Sequence, residues 1–208
     1  MTEHDSDLRW LVTPVRRIGA RLKGPSCCPG APWGDVTLGE AEEGELLAIQ
    51  TLMAACIGSW APSLYELQEL YLAGRARIFV ARRKHPLGFV MAGPSFSPGE
   101  AAGAIYSLGV QQRFRRRGLG RALLAAAEGW LAGTNVRTIR VRVPDGSPGV
   151  LTFFREWGYT LDEVTVGFYG HRRDGLILVK DMGCDPAPGR LGSSAAGQAA
   201  GAKKDSHV

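Results

Sequence analysis

An apolar strand that leads through a glycine-containing basic turn into a helix is the feature that most limits how this chain can fold. The segment is Ile105–Leu124, IYSLGVQQRFRRRGLGRALL, and its turn has the pattern R-x-x-G-x-G at Arg115, Gly118 and Gly120. Glycine lets a backbone pass close to a ligand, and the first amides of a helix attract anions. The segment therefore predicts a phosphate site. Further guanidinium groups that can neutralise a pyrophosphate are Arg116, Arg117 and Arg121.

Hydrophobic periodicity predicts an α/β fold with a mixed α+β sheet, in the element order βααβββαβαββ. The predicted strands are Val36–Leu38, Ile78–Arg82, Leu87–Ala92, Gly103–Val110, Thr138–Val143, Glu163–Tyr169 and Leu176–Lys180. A first helix follows from the spacing of Leu46, Ile49, Met53 and Ile57. The second helix is predicted to begin with a capping box of Ser63 and Glu66 and to stop at Gly74.

The remaining helices flank the fifth strand. Leu119–Leu131 places Leu119, Leu123, Ala127, Trp130 and Leu131 on one side, which predicts a helix packed on the sheet. Ser147 and Pro148 are a cap and a first-turn proline for a short helix that ends before Gly158.

Length and composition favour one soluble domain with loose ends. The chain has 208 residues, 45% of them hydrophobic and 22% charged, which suits a single core. The predicted domain is 34–182, preceded by a flexible N-terminal extension, 1–33, and followed by a disordered tail, 183–208. No apolar run approaches the roughly 20 residues of a membrane span. We expect a cytoplasmic protein without a membrane partner.

Cysteines and charge argue against a metal site and against nucleic acid. The four cysteines, Cys27, Cys28, Cys56 and Cys184, lack zinc-site spacing, so we interpret them as reduced thiols and expect no metal. The net charge of +5 comes from arginines spread along the chain. A nucleic-acid-binding module that uses Arg113–Arg121 remains an alternative, but nucleic acid is not the expected partner.

From Gly34 to Met182 the sequence resembles the GCN5-related N-acetyltransferase (GNAT) superfamily. Two segments carry the resemblance: the strand, Q/R-x-x-G-x-G/A turn and helix described above, and VRVPDGSPGVLTFFREWGYT, with its Gly158-Tyr159 pair. It is closest to small bacterial acetyltransferases of the kind that includes ribosomal-protein N-terminal acetyltransferases.

The resemblance implies acetyl-CoA as co-substrate. Leu108, Gly109 and Val110 would pair their backbone with the pantetheine arm, as an added strand does. Arg116–Arg121 would hold the pyrophosphate, and an amide near Val110 would face the thioester oxygen. The implied cofactor-binding residues are Leu108, Gly109, Val110, Arg115, Arg116, Arg117, Gly118, Leu119, Gly120, Arg121 and Ser147.

The sequence departs from the family where proton transfer is concerned. Many relatives carry a Tyr where Phe154 stands and an Asn where Ser147 stands, and the ribosomal-protein group carries a Glu at Arg142. No catalytic residue is therefore assigned, and substitute proton carriers are Tyr106, Ser107, Glu69 and Tyr169. Trp60 and Tyr65 are candidates for shaping the acceptor pocket.

These observations predict an acetyl-CoA-dependent N-acetyltransferase that moves the acetyl group directly to an amine in a ternary complex. Direct transfer follows because Cys56 and the other thiols are distant in sequence from the cofactor motif. The acceptor would be a small molecule, a protein N-terminus or a lysine, and the protein a monomer or homodimer. A catalytically weak acyl-CoA-binding regulatory protein is the alternative, motivated by Phe154 and Arg142.

Overall fold

The structure, a computed structural model, describes residues 35–95, 101–169 and 174–183. The predicted extension, 1–33, and the tail beyond residue 183 lie outside these residues. Seven strands form one sheet in the order β1-β2-β3-β4-β5-β7-β6, antiparallel except for the parallel pair β4–β5. The strands are β1 Thr37–Glu40, β2 Arg77–Arg82, β3 Pro86–Pro94, β4 Ala102–Val110, β5 Thr138–Pro144, β6 Thr160–Thr165 and β7 Gly175–Asp181.

Four α-helices cover the two faces of the sheet and create two cores. They are α1 Leu46–Ile57, α2 Leu64–Leu72, α3 Leu119–Ala132 and α4 Pro148–Glu156. Helices α1 and α2 pack on β2 and β3 around Ile49, Met53 and Leu67. Helices α3 and α4 cover the other face, where all five side chains predicted for α3 are buried. The predicted fold class and element order are confirmed.

The second helix begins as predicted. Ser63 Oγ accepts a hydrogen bond from the Glu66 N–H, and the Glu66 carboxylate accepts one from the Ser63 N–H at 2.7 Å. Gly74 follows the helix with φ +64°, a conformation that glycine adopts without a Cβ penalty. Among the described residues no single helix is long and apolar enough to cross a membrane; the bent pair Glu43–Trp60 and Leu64–Leu72 reaches that length and composition only together.

The sixth strand corrects the sequence prediction. It begins at Thr160 and ends at Thr165, whereas Glu163–Tyr169 was predicted, so Tyr169 lies in the turn that follows. The strand ends because Gly167 takes a φ of +68° and donates its N–H to the Asp174 side chain at 2.8 Å. The third strand, predicted over Leu87–Ala92, is longer than predicted, since it begins at Pro86 and ends at Pro94.

One buried acid ties the two helices of the second core to the sheet. Glu128, in α3, is only 7% exposed. It accepts hydrogen bonds from Trp157 Nε1 at 2.8 Å, Tyr159 Oη at 2.9 Å and Lys180 Nζ at 2.7 Å. Burial, and then the adjacent Glu128 carboxylate, raise the pKa of Tyr159. We call Glu128, Trp157, Tyr159 and Lys180 the Glu128 cluster.

Candidate active site

The parallel pair β4–β5 separates after a short ladder. Its last paired residues are Ile105 and Val141, while β4 continues in register with β3. A shift in that register leaves Tyr106 as an extra residue, a β-bulge at the point of separation. Within the described part of the chain, no strand pairs with the edge of β4 beyond it. We call the opening between residues 106–110 of β4 and 142–144 of β5 the fork.

Backbone groups of Leu108 and Val110 face the fork. Bonded positions alternate along an antiparallel pair, and the Gln111 N–H donates to the Leu87 carbonyl of β3 at 2.9 Å. The backbone N–H and C=O groups of Gly109 therefore bond to β3. Those of Leu108 and Val110 point away from β3 and into the fork. The fork thus has an edge of peptide groups that can pair with an amide-containing ligand.

Gly109 brings helix α1 against this strand. A Cβ at Gly109 would lie 2.5 Å from a Phe89 ring carbon and 2.9 Å from Cys56 Cβ, so only glycine fits. Cys56 therefore adjoins the cofactor motif, although it is distant in sequence. Burial raises the pKa of the Cys56 thiol, and Arg115 partly offsets this effect. Nothing in the sequence pattern indicated this contact, which depends on how α1 lies on the sheet.

The basic turn between β4 and α3 has two residues in the left-handed region. Arg116 has φ +61° and Gly118, the residue that precedes α3, has φ +83°. The first amides of α3 have no acceptor within the helix and point back toward this turn. Leu119 contributes such an amide while its side chain is buried in the core. The predicted anion site therefore combines a strained turn, glycine and a helix start.

The arginines of the turn and of the first turn of α3 differ in their contacts. Arg115 Nε donates to the Val110 carbonyl at 2.9 Å, which fastens the turn to the end of β4. Arg121 pairs with Glu156 of α4 at 2.8 Å. Arg116 and Arg117 are exposed. All four guanidinium groups follow the strand end that borders the fork.

The start of α4 lies at the same edge of the sheet, because β4 and β5 are parallel. Ser147 occupies the position before α4, but its side chain makes no capping hydrogen bond. A Cβ at Gly120 would lie 3.6 Å from Phe153 of α4 and 3.9 Å from Leu108, which are ordinary contact distances. Gly120 therefore tolerates a methyl group, whereas Gly118 is restricted by its backbone.

An open pocket of about 510 Å³ lies between α1 and the segment after β4. Its lining residues are Leu52, Ala55, Cys56, Gln111, Gln112, Arg113 and Arg115. Cys56, which adjoins Gly109 of β4, is one of the lining residues. The rim of the pocket is cationic, since Arg113 and Arg115 line it.

The tyrosines proposed as proton carriers are both constrained. Tyr106 donates its hydroxyl to the Pro94 carbonyl at 2.6 Å, and burial raises its pKa. Burial also raises the pKa of Tyr169, and the Arg142 guanidinium partly offsets the shift. Both hydroxyls therefore keep their protons at neutral pH, which does not suit a general base.

Ser107 and Glu69 occupy different surroundings. Ser107 lies at the bulge on the α1/α2 face, and its Oγ is buried without a hydrogen-bond partner among the described residues. Glu69 is exposed on α2. The structure therefore brings Tyr106 and Ser107 to the fork, and it places Glu69 on the outer surface of its helix.

Two loops meet on the α1/α2 face. Trp60, which follows α1, contacts Tyr169 edge to face with ring centroids 4.7 Å apart. Phe168 lies beside Tyr169 at 4.9 Å and beneath the Arg142 guanidinium, whose carbon is 3.9 Å from the ring centroid. Tyr65 is 72% exposed. The sequence analysis proposed Trp60 for the acceptor pocket and Tyr169 as a proton carrier, without a contact between them. Phe168 was missed because no local pattern shows where a loop folds.

Two residues that depart from the family pattern, Phe154 and Arg142, lie in the core and on β5. Phe154 is 3% exposed and contacts Phe153 and Tyr159 edge to face, each at 5.2 Å, so it belongs to the core. Arg142 lies on β5 beside the fork. In the described part of the chain, no group of three His, Cys, Asp or Glu residues could hold a metal.

Comparison with known proteins gives a family and a fold. Residues 46–159, more than half of the chain, match the model of the acetyltransferase (GNAT) family. Similar solved structures include the ribosomal-protein-S18-alanine N-acetyltransferase from Escherichia coli, at 16% identity and TM-score 0.63, covering 75% of this chain and 99% of that one. The ribosomal-protein-alanine N-acetyltransferase from Brucella melitensis has 21% identity and TM-score 0.59, with coverages of 70% and 99%.

A third similar structure is a GNAT family acetyltransferase from Elizabethkingia anophelis with acetyl-CoA bound, at 16% identity, TM-score 0.58 and coverages of 72% and 99%. No curated protein sequence matches the chain. At these identities the solved structures show the fold.

Proposed function

The chain belongs to the GNAT acetyltransferase family, and we propose that it transfers the acetyl group of acetyl-CoA directly to a primary amine. The backbone geometry of the fork is the observation that supports this proposal. It presents the peptide edge of Leu108 and Val110 beside a turn that combines Gly118, the first amides of α3 and the guanidinium groups of Arg116 and Arg117. An amide-containing arm fits the edge, and a diphosphate fits the turn.

The acceptor would approach from the α1/α2 face. Ser107 of β4 and Arg142 of β5 border the fork on that face, and Trp60 and Tyr169 meet beside them. A protein N-terminus, a lysine or a small amine could each supply the acceptor nitrogen. The Escherichia coli and Brucella relatives, by name, act on the alanine of a ribosomal protein, which supports testing peptide N-termini first.

Acetyl-CoA supplies a thioester whose carbonyl carbon a neutral amine can attack, with the C–S bond breaking as the C–N bond forms. The chain's own contribution is alignment, and holding two reactants together can account for about 7 to 11 kcal/mol of the barrier. The Val110 N–H faces the fork and can donate to the carbonyl oxygen. No proton carrier is assigned. A missing one costs about 10²- to 10⁴-fold in rate, so turnover should be slow but measurable.

Thiol release tests the proposal. Purified full-length protein is mixed with acetyl-CoA and a panel of alanine-initiated peptides, lysine peptides and small amines, and free coenzyme A is measured with time. We expect amine-dependent release. If calorimetry shows that acetyl-CoA binds but no amine causes release of coenzyme A, the result would instead favour the acyl-CoA-binding regulatory protein. The specific observations behind that alternative are the buried Phe154 and the cationic Arg142.

Cys56 offers a test of direct transfer. Cys56→Ala should change kcat by less than about threefold, because burial raises the pKa of this thiol and leaves little of the nucleophilic thiolate. The measurement is steady-state thiol release, with mass spectrometry of the protein after incubation with acetyl-CoA alone. An acetyl group found on Cys56, together with loss of turnover in the variant, would contradict direct transfer.

A further inference from the structure

Tyr169 places its hydroxyl at the fork. The residue lies in the turn that follows β6, and its Oη is 3.5 Å from the Arg142 carbonyl oxygen. Arg142 is the first residue of β5 beyond the last pair with β4, which is Ile105 with Val141. The Tyr169 hydroxyl therefore lies where the two strands begin to separate.

The Arg142 carbonyl points into the fork rather than toward β7. Bonded positions alternate along the antiparallel pair β5–β7, and the Asp145 N–H donates to the Asp174 carbonyl at 2.9 Å. Arg137 belongs to the same set, since its carbonyl accepts from the Met182 N–H at 2.8 Å. Residues two apart share a set, so Arg142 belongs to the other set, whose peptide groups face β4.

The hydrogen bond from Tyr169 to this carbonyl is weak. Its length of 3.5 Å is well beyond the usual O–H···O distance of about 2.7 to 2.8 Å. By contrast, the Tyr106 hydroxyl donates to the Pro94 carbonyl at 2.6 Å. Within the described part of the chain, the Tyr169 hydroxyl makes no shorter hydrogen bond. It can therefore turn to a stronger acceptor that enters the fork.

Two aromatic contacts hold the ring of Tyr169 in this position. Trp60 meets it edge to face with ring centroids 4.7 Å apart, and Phe168 does so at 4.9 Å. Burial raises the pKa of Tyr169, and the Arg142 guanidinium partly offsets the shift. The hydroxyl is therefore a fixed donor that keeps its proton at neutral pH.

The direction of the coenzyme A arm gives the expected position of its sulfur. In the proposed complex, the diphosphate lies at the basic turn after Val110, and the arm pairs with the β4 edge from Val110 back to Leu108. The thioester at the far end of the arm is therefore directed toward the point where β4 and β5 separate. The Tyr169 hydroxyl borders that point from the β5 side.

We propose that Tyr169 is a catalytic residue that donates a hydrogen bond to the sulfur of coenzyme A as the thioester breaks. This inference rests on the proposed function and adds a residue to it. The C–N bond forms as the C–S bond breaks, and the bonding electron pair stays on sulfur. The Tyr169 O–H stabilises this charge and keeps its proton, because a thiol is a stronger acid than a phenol. Water takes the proton that leaves the amine and later protonates the thiolate.

Removal of the hydroxyl tests the proposal. Tyr169→Phe keeps the ring and its contacts with Trp60 and Phe168, and it should lower kcat for thiol release by about 10- to 100-fold. The KM for the amine and the calorimetric affinity for coenzyme A should stay within about threefold. Equal kcat in the wild type and Tyr169→Phe would overturn the proposal.

Tyr71→Phe is the matched control. Tyr71 also donates its hydroxyl to a backbone carbonyl, that of Ala41 at 3.1 Å, but it does so beside the end of β1. The control should therefore keep the kcat of the wild type. Thermal unfolding checks that both variants are folded.

Ionisation of bound coenzyme A tests the same hydrogen bond without turnover. The thiolate absorbs in the ultraviolet, so the thiol of each complex is titrated with the matching desulfo-coenzyme A complex as the blank. A hydrogen-bond donor stabilises the thiolate, and the acid dissociation constant of the thiol should be about 3- to 30-fold smaller in Tyr169→Phe than in the wild type. Equal dissociation constants would refute the proposal even if kcat fell.

The two readouts separate this inference from the activity on which it rests. A smaller dissociation constant in Tyr169→Phe, without release of coenzyme A by the wild type with any amine, would mean that the enzymatic proposal fails and the hydrogen bond to sulfur stands. Amine-dependent release at equal rates in the two proteins, with equal dissociation constants, would mean the reverse.

Discussion

Replacing Glu128 by Ala should lower the free energy of unfolding by about 3 to 5 kcal/mol, the cost of removing one partner of a buried ion pair. The carboxylate accepts hydrogen bonds from Trp157, Tyr159 and Lys180. Its loss leaves those donors without their acceptor in a region where the Lys180 side chain is only 23% exposed. Urea unfolding followed by circular dichroism measures the difference.

Glu156 supplies the matched control. It also pairs with a cation, Arg121 at 2.8 Å, but both side chains are more than half exposed, and exposed pairs contribute about 0 to 1 kcal/mol. Glu156→Ala should therefore have a small effect. Similar losses in the two variants would show that the Glu128 cluster does not hold α3 against α4 and β7.

The elements with strong local signals could be predicted from the sequence. Apolar alternation defined β5, and the capping box of Ser63 and Glu66 defined the start of α2. The strand, turn and helix around Gly118 were also predicted, because three local rules agree there: a β-period, a glycine turn and a helical period. Fold class follows from these local patterns, whereas the family was inferred from the resemblance of two segments to known acetyltransferases.

Contacts between distant segments could not be predicted. Cys56 adjoins Gly109 because α1 crosses the end of β4. The hydrophobic period of α1 does not show which strand the helix crosses. Tyr169 was assigned to a strand from its neighbours, but Gly167 and Asp174 end the strand before it. The partners of Glu128 come from the turn between α4 and β6 and from β7. The acceptor side of the fork consists largely of such contacts, and this is why the sequence defined a phosphate site more sharply than an acceptor.

Gly118→Val should weaken coenzyme A binding by about 10- to 100-fold. Gly118 has φ +83°, and a β-branched residue held there costs about 1 to 3 kcal/mol. The turn would relieve this strain by shifting, and the first amides of α3 would move away from the diphosphate. Calorimetric titration with coenzyme A measures the affinity, and thermal unfolding confirms that the variant is folded.

Two further substitutions separate backbone shape from crowding at this turn. Asn tolerates the left-handed region, so Gly118→Asn adds a side chain while keeping the backbone, and it should bind more tightly than Gly118→Val. Gly129→Ala lies in the same helix at an exposed site with no atom within 4 Å of an added Cβ. It should leave affinity unchanged and raise stability by about 0.5 to 1 kcal/mol. Equal losses of coenzyme A affinity in Gly118→Asn and Gly118→Val would indicate that the diphosphate approaches the glycine itself. Unchanged affinity in Gly118→Val would contradict the assignment of the basic turn to the cofactor site.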